Sequence, residues 1–217
     1  MKEPKIEKLD NIYYNKYLKL YSMNWDNGAF YLEASRRDLD DLVVNKSEEE
    51  YDEMLPDAVT IALVVKTPGD EPRLYMEHEF RYPTGHFLLS PPAGLIDPSD
   101  GQKQDPRIEA TRREVLEETG IALSEDARIE MISPLFFSSP GMTDESNAIV
   151  LAVAELEDLL SLSDKFAEKT ECFDGYSLLT KDEVKKLLQS GRDEENRFYS
   201  VFTWAIMMHF AYMYEDK

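Results

Sequence analysis

Glu114, Glu117 and Glu118 crowd into the short run REVLEETGI, residues 113–121. On a helix that turns about 100° per residue, the three carboxylates share a sector of roughly 100°. Their repulsion in water is modest, so a solvated acidic face is the plain alternative. Two features point elsewhere. The cluster lies at the C-terminal end of the helix, where the macrodipole disfavours negative charge, so a compensating cation is called for. Hard divalent ions take oxygen ligands and often use a few carboxylates together with substrate phosphates. The segment before the helix, PPAGLID (91–97), contains Gly94. A glycine there lets backbone approach a ligand closely or adopt positive φ.

The helix that would present these acids has clear ends. Asp105 is a good N-cap, Pro106 suits the first helical position and Gly120 suits the position past the end. Ile108, Thr111 and Val115 repeat at helical spacing and are expected to face the core. Around this helix the chain reads as strands. AVTIALVVK (58–66) is a β-branched apolar run, the mark of a buried strand. Residues 67–70, TPGD, break it and RLYMEHEFR (73–81) resumes, giving a hairpin. Residues 129–137 and 148–155 are further strands. Residues 181–189 form an amphipathic helix ended by Ser190 and Gly191. Residues 201–214 form a last helix, apolar on most sides, for core or dimer packing. Upstream, residues 12–36 are an aromatic-rich β region with a turn at Asp26, Asn27 and Gly28. Residues 37–55 are a charge-dense connector, partly helical. Residues 1–55 thus read as an N-terminal β region with its connector, and residues 56–217 as the main domain.

Composition narrows the functions. The 217 residues carry 44 acids against 24 bases, a formal charge of −20. Binding to nucleic acid or an anionic membrane needs surplus Lys and Arg, so neither partner is expected. A phosphate substrate stays open, because bound cations reverse the local field. The single Cys172 excludes an intramolecular disulfide framework and a multi-Cys zinc site. The charged N-terminus has no signal-peptide core, and the stretch 201–214 is too short to span a bilayer. A soluble, cytoplasmic protein is expected.

Gly94 together with REVLEETGI resembles the Nudix box of the Nudix hydrolase superfamily, G-x5-E-x7-R-E-U-x-E-E-x-G-U with U aliphatic. The second half matches at every defined position. The first half departs, with 18 residues between Gly94 and Arg113 where the pattern has 13. Counting back from Arg113 puts Asp105 at the first acidic position, and counting forward from Gly94 puts Asp100 there. The resemblance continues outside the box. EFRYP (79–83) with PPAGLID looks like the Q-Y-R-x-P…E-x-P-A-G-L-I-D segment of the ADP-ribose and ADP-sugar pyrophosphatase branch, with Ser90 where an acid is often found. SSPGMTDE (138–145) looks like that branch's S-P-G-x-T-D-E loop.

The resemblance implies a Nudix α/β/α sandwich of the α/β (α+β) class, with a mixed sheet, preceded by an antiparallel β region. It implies Mg²⁺ (or Mn²⁺) held by Glu114 and Glu118, with Glu117 and the Ala93 carbonyl as further ligands, and Arg113 orienting the glutamates. Glu145 would act as base or water-positioning residue, with Glu171 an alternative for the same work. Arg81 is suited to grip a phosphate or terminal ribose. Tyr17, Arg37, Gly141 and Met142 fall at substrate-contacting places of the branch. Leu32 stands where some relatives have an adenine-stacking Trp. Trp25 and Trp204 read as packing residues. The branch commonly forms homodimers through its N-terminal β region. The expected activity is hydrolysis of ADP-ribose or an ADP-sugar, a small-molecule nucleoside diphosphate derivative, to AMP and a sugar phosphate. The alternatives are a Nudix diphosphatase for a dinucleotide, another nucleotide-sugar or a nucleoside triphosphate, and a non-catalytic ADP-ribose sensor.

Overall fold

A computed structural model describes residues 3–102, 104–158 and 172–216. The chain forms two compact units, Met1–Asp57 with Leu135–Asn147, and Ala58–Pro134 with Ala148–Lys217.

In the first unit, β1 (Ile6–Tyr14), β2 (Lys19–Trp25) and β3 (Phe30–Ser35) make an antiparallel sheet in that order. The turn between β2 and β3 is set by Gly28 at φ +83°, with its N–H donating to the Trp25 carbonyl at 2.9 Å. Along β2 the pleat alternates, and Tyr21 and Met23 bury one face against Leu42. Tyr13, Tyr14, Phe30 and Tyr31 stay exposed. The connector holds two 3-10 turns, Leu39–Asp41 and Val43–Asn45, and then α1 (Glu48–Asp52), opened by a reciprocal cap between Ser47 and Glu50.

The second unit is built on β4 (Ala58–Lys66), β5 (Arg73–Arg81), β6 (His86–Ser90), β7 (Ala93–Leu95), β8 (Ile129–Phe137), β9 (Ser146–Glu155) and β10 (Phe173–Leu179). The last residues of β8 and the first of β9 count with the first unit. The strand order is β10-β5-β4-β9-β8, with β6 on β5 and β7 on β4. Pro134 sits in β8, an edge strand, where its missing N–H costs least.

β4 explains the layered arrangement. Val59, Ile61, Leu63 and Val65 share one core with Ala110 and Val115 of α2 (Pro106–Thr119). The alternate residues Ala62 and Val64 are also buried, and α4 (Val201–Tyr212) packs on this strand. α3 (Lys181–Ser190) packs on α4 and β10. A strand covered on both faces has no reason to alternate in polarity, which is why β4 reads as one apolar run. This is the expected α/β/α sandwich, with helices packed on the central sheet. Trp204, expected in packing, is instead exposed on α4. Among the described residues no helix is long and apolar enough to cross a membrane.

Three short pairings place the loop before α2. Ala58 pairs with Leu95, Val59 with Gly94 and Thr60 with Ala93. The Pro92 carbonyl accepts from the Ile61 N–H at 2.8 Å. α2 packs over both β4 and β7, so the backbone at Ala93 and Gly94 lies under the acidic turns of the helix. Ile61, fully buried between these layers, is a direct probe of the packing. Ile61→Ala is expected to cost about 2–5 kcal/mol in urea unfolding.

Candidate active site

α2 starts and stops where local chemistry dictates. The Asp105 carboxylate accepts from the Arg107 N–H at 2.9 Å, Pro106 opens the first turn, and Gly120 at φ +74° closes the last. Thr111 and Val115 are buried beneath it, and Ile108 is partly so. The acidic face is not a solvated one. Glu114 is 6% exposed and Glu118 5% exposed, while Glu117 is half-buried.

Arg113 ties the cluster together. Its Nη1 donates to Glu114 Oε1 at 2.6 Å and to Glu117 Oε2 at 3.2 Å. Its Nη2 donates to the Leu95 carbonyl at 2.8 Å and to Asp100 Oδ2 at 3.1 Å. Burial opposes the charge on Arg113, but Asp100 and Glu114 outweigh it and hold the guanidinium protonated. Glu118 takes the other side and accepts the Ala93 N–H at 3.0 Å. Its charge also reaches Tyr75, whose phenol is pushed up by burial first and then by Glu77 and Glu118. Glu77, 2% exposed on β5, is therefore a further acid of this neighbourhood. Nothing in its sequence context singled it out. Gly94 is required by contact: a Cβ there would lie 1.8 Å from Glu114 Oε1.

The donor set suits a hard divalent cation. It is all oxygen, two carboxylates are buried side by side on successive turns, and a backbone segment passes beneath them. Among the described residues no three His, Cys, Asp or Glu side chains converge into a ready coordination sphere. Arg113 and the Ala93 N–H occupy the carboxylates, so side-chain rotation would have to accompany cation uptake.

The lengthened loop before α2 is anchored on one side chain. The Glu109 carboxylate accepts from the N–H groups of Gly101, Gln102 and Gln104 at 2.7, 3.2 and 3.0 Å. The Asp97 N–H donates to Asp100 Oδ2 at 2.9 Å. The two candidate acids thus separate: Asp100 faces Arg113, and Asp105 caps the helix and pairs with Arg107.

The first unit gathers a second set of expected residues. Glu145 accepts from Ser138 Oγ at 3.2 Å and lies 3.5 Å from Arg36 Nε. The Met142 carbonyl accepts from the Ala34 N–H at 2.9 Å. Gly141 and Met142 line a groove of about 680 Å³ together with Trp25, Tyr31, Leu32 and Phe137. Glu33 also lines it, with one carboxylate oxygen buried and lacking a hydrogen-bond partner. Burial, then the nearby Asp144, pushes the Glu33 carboxyl up to about 7, with Arg37 acting against them. An acid in an alternating strand gives no sequence signal of such burial. Arg37 itself is engaged by Asp57, Asp41 and Asp144.

The other expected residues contact near neighbours in the chain. Tyr17 is exposed in the turn after β1, with the Lys16 ammonium 5.2 Å from its ring centre. Arg81, at the end of β5, pairs with Glu79 at 2.6 Å. Glu171 lies outside the described residues.

Two expectations follow. Gly94→Ala forces Glu114 aside and should cost about 1–3 kcal/mol in chemical denaturation. The raised Glu33 value means that the folded chain keeps a proton which the unfolded chain, at the usual 4.5, releases. Stability from this group is full below about 4.5 and is lost as pH rises through about 7. Glu33→Gln should therefore unfold at higher urea than the native chain at pH 8, with the two converging near pH 5.

No protein-family model matches the sequence. Over 97 residues the chain is 36% identical to a nudix hydrolase of Caenorhabditis elegans, covering 44% of this chain and 39% of that protein. A Nudix hydrolase of Schizosaccharomyces pombe is 31% identical over 96 residues, 44% of this chain and 42% of its own length. The ADP-ribose pyrophosphatase of Saccharomyces cerevisiae is 28% identical over 158 residues, 70% of this chain and 64% of that enzyme. The chain thus spans less than two thirds of the length of these relatives. Among solved structures, an ADP compounds hydrolase shares the fold at a TM-score of 0.57 and 16% identity, over 90% of this chain and 89% of that one. In sequence the chain resembles Nudix hydrolases, an ADP-ribose pyrophosphatase among them, and it shares the fold of an ADP compounds hydrolase.

Proposed function

We propose that the chain is a pyrophosphohydrolase dependent on a divalent cation, Mg²⁺ or Mn²⁺, that splits ADP-ribose or an ADP-sugar into AMP and a sugar phosphate. The observation that carries this reading is the pair of buried glutamates over the Ala93–Gly94 backbone, Glu114 held by Arg113 and Glu118 by the Ala93 N–H. Buried carboxylates are costly unless compensated, and an oxygen-only set of this kind is compensated by a hard cation. Glu114, Glu118, Glu117 and the Ala93 carbonyl would hold it. When bound, it supplies Lewis acidity toward the diphosphate oxygens and lowers the pKa of water.

The remaining roles fall to the chain's own groups. Arg113 restrains the glutamates and keeps their rotamers few. Glu145 takes the proton of the attacking water as general base. Arg81 grips a phosphate or the terminal ribose by exchanging Glu79 for it. The groove that Gly141 and Met142 line has the volume of a nucleotide pocket, and its aromatic walls suit a base. A homodimer is supported by the exposed aromatic residues Tyr13, Tyr14, Phe30 and Tyr31 on the N-terminal sheet.

The test is AMP release from ADP-ribose, with and without Mg²⁺, beside ADP-glucose, NADH, diadenosine polyphosphates and nucleoside triphosphates. Metal-dependent turnover fastest on ADP-ribose or ADP-glucose is expected. Turnover confined to the dinucleotides or triphosphates would move the substrate, and binding of ADP-ribose with no turnover would leave a sensor. Glu118→Gln should lower the rate about a hundredfold or more, since each 1.4 kcal/mol of lost transition-state stabilisation is about tenfold.

A further inference from the structure

Arg37 follows β3, and its side chain is 11% exposed. Its Nη2 lies 2.6 Å from Asp57 Oδ1, its Nη1 3.3 Å from Asp41 Oδ2 and its Nε 3.5 Å from Asp144 Oδ2. Two of these acids lead to the residues on either side of Glu145. Asp144 precedes it in the chain, and its Oδ2 also accepts the Val43 N–H at 3.2 Å. Ser146 follows it, and donates to Asp57 Oδ2 from its N–H at 2.8 Å and its hydroxyl at 2.9 Å. The Asp57 N–H in turn donates to the Ser146 carbonyl at 3.0 Å. One guanidinium is therefore ion-paired toward both neighbours of Glu145, one directly and one through Asp57, although its Nε and Nη2 make no hydrogen bond. Arg36 reaches the Glu145 carboxylate itself at 3.5 Å, but that pair is open to solvent and is screened.

We propose that Arg37 is a positioning residue for Glu145, fixing residues 144–146 through Asp144 and Asp57. This rests on the reading of Glu145 as general base. The physical grounds are burial and geometry. Asp57 and Asp144 are largely buried beside the guanidinium, so without Arg37 they are left as uncompensated charges. A lysine offers a single charged head and cannot span three acids as the planar fork does. A base displaced by about an ångström can lose about a hundredfold in rate. A direct substrate contact by Arg37 would instead require a phosphate to displace these aspartates.

The two roles separate experimentally. Amide hydrogen exchange over residues 138–147 and steady-state AMP release are measured on the full chain as native protein, Arg37→Lys, Glu145→Gln and the double variant. Arg37→Lys is expected to speed exchange across that segment. It should also lower kcat about tenfold or more with KM for ADP-ribose within about twofold. The double variant should be no slower than Glu145→Gln alone. Unchanged exchange, a raised KM with kcat retained, or losses that multiply in the double variant would each overturn the proposal. Native turnover in Glu145→Gln would overturn the base reading and the proposal with it, and the exchange data then show whether Arg37 still holds the loop. Should Arg37→Lys fail to fold, Asp57→Asn breaks the Ser146 branch alone. It should give the same kcat loss in weaker form, and retention of native exchange and kcat in it would count against the proposal.

Discussion

Arg113 is the contact on which the box depends. Its guanidinium binds Glu114, Glu117, Asp100 and the Leu95 carbonyl at once. Those groups come from three places in the chain: the helix itself, the short strand beneath it and the lengthened loop before it. Without a shared cation, buried acids on successive helical turns would repel one another and expose the turn. With it, the helix can afford a negative cluster at the end where its own dipole is unfavourable. The close packing at Gly94 belongs to the same arrangement, since any side chain there would occupy the space of the Glu114 carboxylate.

The N-terminal unit repeats the device with Arg37. Here three aspartates surround the guanidinium, and Glu33 adds a carboxyl whose ionisation is suppressed by burial. A chain with a formal charge of −20 must keep many acids apart from one another. Both partly buried arginines do so while holding a segment in register: α2 against β7 in one case, the loop 138–145 against the end of β3 in the other. The cost is that each centre is sensitive to loss of one residue, because several charges lose their partner together.

What the sequence revealed was what local chemistry decides. Asp105, Pro106 and Gly120 delimit α2, and the structure places its ends there. The β-branched run 58–66 and the strands 73–81 and 129–137 also carry their own signals. β6 and β7 are short and exist because β5 and β4 offer them edges, which no local pattern announces. β10 is interrupted by Gly175 at φ +85°, with a register shift against β5, so its alternation is broken. At the site, the REVLEETGI spacing named the glutamates. It left Asp100 and Asp105 undecided, because only the folded loop brings one to Arg113 and the other to the helix start. The burial of Glu33 and Glu77 is a property of packing between distant segments, and acids in strands look alike in sequence whether buried or not.

The central claim is that Glu114 and Glu118 are kept together to bind a divalent cation. Electron paramagnetic resonance of free Mn²⁺ during titration, on the native chain and on a Glu114→Gln, Glu118→Gln double variant, tests it without reference to any substrate. Saturable Mn²⁺ binding by the native chain, weakened about tenfold or more in a variant that remains folded, is the result expected. Equal Mn²⁺ affinity in the two proteins would contradict the claim and leave the acidic helix face a structural feature alone.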